Sequence, residues 1–386
     1  MRVLCTAIPS AGHLNPLLPL TRALVAAGHE VMLAAGSGAA PTAKAAGLVA
    51  VPAGLDESEM VAEATARLRD VAPDRRGIEM FARIAAPAML RDLLPHLDEL
   101  APDLVINEEG EWGGPVLAAV AGIPAAAHGW GAPLWTEDEL DLISAATAPL
   151  WEEHDVRPAS PAGLFAGLYI DACPPLLQAP RARGIPRRRG IRFEAFDSGE
   201  APPARLDGNR RRPFVYATLG TVPTFNVAPT LIDALSQALG DLPVEAVVTI
   251  GKNNDPDDLR PLPANVRAVR HVSQVQALRR SAVAVTHGGA GSTLAALSFG
   301  VPLLILPRGA PSQRRLGSRC AELGAALVLQ PDEANVDAIR EALKTLIEDE
   351  SFRIGARRIR SSIRRRPPAR TLVPAIEMVA NAAREP

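Results

Sequence analysis

The strongest constraint on the fold is a rhythm that runs twice through the chain: short apolar runs alternate with helically periodic segments, break off, and start again. Residues 2–8 are apolar, 16–27 carry apolar residues at helical spacing, and 30–35 are apolar again, which reads as a β-α-β unit. Asn15 suits a helix cap, Pro16 a first helical position that loses no hydrogen bond, and Gly28 a helix end. Runs at 49–52, 104–107 and 125–128 continue the alternation, with helical stretches at 79–100 and 112–121. The segment 197–213, DSGEAPPARLDGNRRRP, has no periodicity and reads as a linker. Beyond it come strands at 214–219, 245–250, 266–269, 283–286, 302–306 and 326–329, with helices at 229–239 and 292–299. The fold class this predicts is α/β: two doubly wound, Rossmann-like sheets facing across a cleft, with ligands beyond the carboxyl ends of the strands. The expected domains are 1–196, the linker 197–213, 214–368, and a last helical segment, 369–386, that crosses back to the first domain.

A chain of 386 residues exceeds one compact core, and 47% hydrophobic content supplies two. A net charge of -2 provides no broad field for nucleic acid or an anionic membrane. The arginine runs 187–189, 210–212 and 364–366 read as solvated surface or linker. Cys5, Cys173 and Cys320 form neither a disulfide framework nor a zinc pattern. The N-terminal stretch lacks a signal-peptide pattern and no stretch is long enough to span a membrane, so a soluble, cytoplasmic protein is expected, with a homodimer admissible.

Two loops can carry chemistry. The first strand is followed by PSAGHLNP, with neither the Gly-x-Gly-x-x-Gly of a dinucleotide site nor a Walker A motif. It places His13 at the strand's carboxyl end, where a neutral imidazole can take a proton from a hydroxyl. The strand ending at Asn107 runs into Glu108, Glu109 and Glu111 at the same sheet edge, and Glu108, first after the strand, is the chosen partner to orient that base. The second loop is THGGAGSTLAAL. A histidine, His287, and a glycine turn, Gly288 to Gly291, lead into a helix whose start offers free amides and the hydroxyls of Ser292 and Thr293. Such a start binds phosphate without a cation, and His287 adds a donor.

The stretches AGHLNPLLPLTRALVAAGHEV, FVYATLGTV, NVRAVRHVSQVQAL and THGGAGSTLAALSFGVPLLILP occur in an order and spacing that resembles the family-one glycosyltransferases of the GT-B fold. The resemblance is greatest to those of actinomycetes that decorate macrolide and enediyne antibiotics. It implies that His13 is the general base and Glu108 its acidic partner. It implies further that Thr221, His287, Gly289, Gly291, Ser292 and Thr293 hold the diphosphate and that His271 and Val272 hold the base. Gly12, Ser312 and Gln313 fall at sugar-binding positions. Met60, Phe81, Trp112 and Trp130, with Met80, Met89 and Trp135 near them in sequence, are candidates to line an apolar acceptor pocket.

Two departures point to the donor. The glutamate that often holds the ribose hydroxyls is Ala295, which suits a deoxyribose and hence a dTDP-sugar. The usual Asp-Gln pair for sugar hydroxyls is Ser312-Gln313, which suits a deoxygenated or otherwise modified sugar. The expected reaction is inverting transfer from a dTDP-sugar to a hydroxyl of a small natural product, with no metal or other cofactor and only small molecules as partners. A non-catalytic auxiliary protein and a sugar-nucleotide epimerase of the same fold are the rival readings.

Overall fold

The computed structural model describes all residues except 198–211, 221–228, 252–253, 260 and 383–386. The expected linker therefore lies almost wholly outside the described residues, as does Thr221. Contacts divide the chain into two units. The first comprises Met1–Cys173, Gln178–Arg192 and Arg366–Pro386, and the second Pro174–Leu177 and Phe193–Arg365. The first unit thus ends at Arg192 rather than at residue 196, and the chain rejoins it at Arg366 rather than at 369.

In the first unit, seven parallel strands run in the order β3-β2-β1-β4-β5-β6-β7. They are β1 Arg2–Thr6, β2 Glu30–Ala35, β3 Val49–Pro52, β4 Leu104–Glu108, β5 Ala125–His128, β6 Leu168–Asp171 and β7 Arg188–Gly190. Val3, Leu4 and Cys5 are completely buried, because helices cover both faces of a parallel sheet and its central strands must be apolar throughout. Each such side chain stabilises the fold by about 1.5–3 kcal/mol. Cys5 sits opposite Leu33 on one side and Ile106 on the other, so strand order reverses between β1 and β4.

Among the described residues, the second unit repeats the plan with six parallel strands in the order β10-β9-β8-β11-β12-β13. These are β8 Phe214–Thr218, β9 Glu245–Thr249, β10 Val266–Val269, β11 Ser281–Thr286, β12 Leu303–Ile305 and β13 Ala326–Val328. Here the order reverses between β8 and β11. In sheets of this kind, ligands bind just beyond the strand ends at that reversal.

The return of the chain to the first unit is anchored on Asp171, a buried acid at the end of β6. It accepts from the Arg188 guanidinium at 3.0 Å, from Arg366 at 3.2 Å, and from the Gln178 amide at 2.9 Å. Arg366 also donates to the Cys173 carbonyl at 2.9 Å. Helix Val373–Ala382 follows, and its Glu377 meets His29 Nε2 at 3.0 Å. Two arginines read as solvated surface are therefore drawn inward, because a buried carboxylate is costly unless paired. Cys5, Cys173 and Cys320 are free and buried, and burial pushes the Cys5 and Cys320 thiols up to about 12. Among the described residues, no helix is long and apolar enough to cross a membrane.

Candidate active site

His13 stands on a helix, not in a loop. The helix runs Ala11–Ala26 with Ser10 as its cap, so it begins five residues before the position that Asn15 and Pro16 suggest. Pro16 and Pro19 both lie inside it. Pro16 cannot return a hydrogen bond to the Gly12 carbonyl, a cost the tertiary packing of Leu14, Leu17 and Leu18 overrides. The result is an imidazole on a rigid element, with Gly12 beside it exposed to solvent.

Glu108 is the last residue of β4 rather than the first after it, because its backbone pairs with His128 of β5, and it has a different task from Glu109 and Glu111 beyond the strand. Glu111 accepts from the amides of Gly113 and Gly114 at 2.7 and 2.8 Å, satisfying the start of helix Gly113–Ala121, and also from the Thr6 hydroxyl. Glu109 accepts from the Tyr169 hydroxyl at 2.8 Å and the Trp130 amide at 3.1 Å. Burial pushes Glu109 up to about 8 and Glu111 up to about 7. Glu108 alone faces His13, with its Oε1 2.9 Å from Nδ1. The same carboxylate accepts from the amides of Ile8 at 3.3 Å and Gly110 at 2.8 Å, which fixes it in place. An ionised carboxylate can only accept, so it selects the tautomer with hydrogen on Nδ1 and leaves Nε2 as the basic nitrogen.

Aromatic rings hold the imidazole from the side. Trp130 meets it edge-on with centroids 4.5 Å apart, and Phe81 does so at 5.3 Å. Both rings are partly exposed. Two other acceptor candidates need correction. Trp112 is completely buried and its indole N–H is spent on the Glu109 carbonyl at 3.0 Å. Met60 is 4% exposed, packed with Ile8 and Ala85. Met89, 3% exposed, is core as well. Glu57, one acid among several in its stretch and without a distinguishing motif, starts helix Glu57–Arg67 and is half-buried. Burial raises its carboxyl pKa, and the neighbouring His13 partly opposes the rise.

In the second unit, His287 follows β11 and precedes helix Ala290–Phe299. Its imidazole is 8% exposed and slots between two glycines. A Cβ on Gly220, just after β8, would stand 2.6 Å from the ring, and one on Gly289 would stand 2.4 Å from Nε2. Gly220 also has φ +90°, so nothing but glycine fits there without strain. Burial, and secondly the charge of Arg308, pull the His287 pKa down to about 4. The ring is neutral at pH 7 and can still donate one N–H.

The helix start carries backbone amides of the kind that bind anions. Gly289 caps it without a side chain, and the Thr293 amide already donates to the Gly289 carbonyl at 3.0 Å. The amides left without an intrahelical acceptor are those of Ala290, Gly291 and Ser292, one residue earlier than the sequence suggests. Thr293 is completely buried with its hydroxyl 3.5 Å from that of Thr286, so it braces the strand-helix junction and offers no hydroxyl to a ligand. The Ser292 hydroxyl is half-buried and bonds back to the Gly289 carbonyl at 3.2 Å. Ala295 is 1% exposed and presents no polar side-chain atom. Gln313 is 5% exposed, with its Oε1 held by the Arg308 amide at 2.7 Å, whereas Ser312 is half-buried beside it. His271 is exposed beyond β10, and Val272 after it is buried.

Known proteins resemble both units and the chain as a whole. Residues 22–183 match the family described as erythromycin biosynthesis protein CIII-like, N-terminal domain, and residues 233–379 match its C-terminal domain. The L-demethylnoviosyl transferase of Streptomyces niveus is 34% identical over 95% of each chain. The 3-alpha-mycarosylerythronolide B desosaminyl transferase of Saccharopolyspora erythraea is 28% identical over the full length of both. The spinosyn rhamnosyltransferase SpnG complexed with thymidine diphosphate superimposes with a TM-score of 0.81 at 25% identity, covering 98% of this chain and 100% of that one. The class is accordingly a nucleotide-sugar-dependent glycosyltransferase with the two parallel-sheet domains of the GT-B fold. Within that class, the chain belongs to the EryCIII-like glycosyltransferase family.

Proposed function

We propose that this enzyme moves a deoxygenated or otherwise modified sugar from a TDP-sugar to a hydroxyl of a small natural-product aglycone, with inversion at the anomeric carbon. The observation that carries the reading is the His13–Glu108 pair, 2.9 Å apart at the strand reversal of the first sheet. His13 Nε2 takes the acceptor proton as the acceptor oxygen attacks the anomeric carbon, and Glu108 stabilises the imidazolium as it forms. The bond to the diphosphate breaks on the opposite face. The amides of Ala290, Gly291 and Ser292 and the N–H of His287 meet the charge that leaves, at a few kcal/mol per well-placed donor. Phe81 and Trp130 offer apolar surface beside the base.

The donor assignment draws support from Ala295, which gives a ribose 2′-hydroxyl no acceptor, and from Ser312 in place of an acid for sugar hydroxyls. Relatives named as desosaminyl and L-demethylnoviosyl transferases, and a solved relative holding thymidine diphosphate, point the same way. Because protein donors neutralise the leaving group, the reading requires no divalent cation. Reverse reactions with TDP and a panel of glycosylated natural products test it. Free aglycone and TDP-sugar are expected to appear, undiminished by EDTA. Turnover with UDP but not TDP, or loss of activity on chelation, would overturn the donor or the metal-free part respectively.

A further inference from the structure

Arg308 lies two residues beyond Leu306, whose amide donates to the Thr286 carbonyl at 2.8 Å and so carries the pairing of β12 with β11 one residue past the strand. That places the turn Arg308 to Ala310, and the start of helix Pro311–Glu322 that follows it, against the turn from His287 to Gly289. The two turns are in contact: a Cβ on Gly288 would stand 3.0 Å from the Gln313 carbonyl oxygen. The backbone of Arg308 is pinned by its amide bond to Gln313 Oε1 at 2.7 Å, and Gly309 with φ +118° turns the chain away immediately after. The guanidinium Nε is buried and has no hydrogen-bond partner among the described residues. Nor does any carboxylate among them form an ion pair with Arg308. The position where the family resemblance expects an acid, four residues on, is Ser312, so its own loop does not cancel the charge.

A half-buried, uncompensated cation beside a neutral histidine and three open helix amides is an arrangement that lacks an anion. We infer that Arg308 is a binding residue for the leaving diphosphate, supplying the fixed positive charge that complements His287 and the amides of Ala290 to Ser292. The inference rests on the proposed donor site. Its like charge beside His287 accords with the depressed pKa of that ring. The attraction of the guanidinium grows as negative charge builds on the departing oxygen.

Calorimetric titration of the wild type, R308Q and R308K with TDP and with thymidine, at low and high salt, tests this. R308Q is expected to bind TDP about tenfold to a hundredfold more weakly, the range for a charge-assisted hydrogen bond. Thymidine binding stays at the wild-type value, the salt dependence of TDP binding becomes shallower, and R308K recovers most of the loss. R308Q that binds TDP as the wild type does would overturn the inference, as would an equal loss for TDP and thymidine. A wild type that binds thymidine as tightly as TDP would instead sink the diphosphate site itself, and Arg308's role with it.

Discussion

Replacing His13 with alanine is expected to lower the rate of sugar transfer about a hundredfold to ten-thousandfold, with TDP affinity unchanged. The rate effect follows from how completely the imidazole is prepared. Glu108 holds Nδ1 at 2.9 Å and is itself held by the Ile8 and Gly110 amides, while Phe81 and Trp130 confine the ring edge-on. Nothing else on the first helical turn can take a proton at neutral pH: its remaining residues are Ala11, Gly12 and Leu14. No TDP effect is expected because the proposed diphosphate donors are His287 and the amides of Ala290 to Ser292, and His13 is assigned only the acceptor proton. Single-turnover transfer and TDP titration on the same variant separate the two. Wild-type rates in the variant would remove His13 from the mechanism.

The second large effect is expected for His287→Ala, which should abolish the rise in melting temperature that TDP produces. The ring fills a slot that Gly220 and Gly289 leave open, so alanine removes both a donor and the packing that shapes the helix start. The change also has a signature in the ligand-free protein. His287 has a pKa of about 4 in the folded state against an ordinary 6.5. The unfolded chain therefore takes up this proton first, and the His287 contribution to stability is lost as pH drops from 6.5 towards 4. Buried His128 acts in the same direction, whereas Glu109 and Glu111, with raised pKa values, act in the opposite one, so the test is the difference between variant and wild type: chemical denaturation should show the alanine variant losing less stability than the wild type across that window. An unaltered TDP shift in the variant would contradict the assignment.

How far the structure could be read from sequence depended on what each residue was buried against. The central strands were legible because a parallel sheet covered on both faces demands continuous apolar runs, as in Val3–Cys5 and Val283–Val285. Edge strand β7, Arg188–Gly190, was not, since three residues with two arginines carry no such signal. Asn15-Pro16 reads as a helix start by local rules, yet packing extends the helix back to Ala11 and puts His13 on it. Trp112 and Met60 look like pocket residues by type, and only the three-dimensional core reveals that neither has surface to offer. Thr293 looks like a hydroxyl donor beside Ser292, but helical geometry turns it inward to Thr286. Gly220 and Arg308 carry no signal in the sequence, because their importance is contact with His287's neighbourhood, 67 and 21 residues away in the chain. The pairing of His13 with Glu108, 95 residues apart, was accessible because both follow strands that flank the reversal in sheet order.

The central claim is that the second unit is built for the diphosphate of a thymidine nucleotide. A melting-temperature panel with TDP, UDP, GDP and NAD on the wild-type enzyme tests it most directly. TDP is predicted to raise the melting temperature most, and a larger shift with NAD, or none with any nucleoside diphosphate, would contradict it.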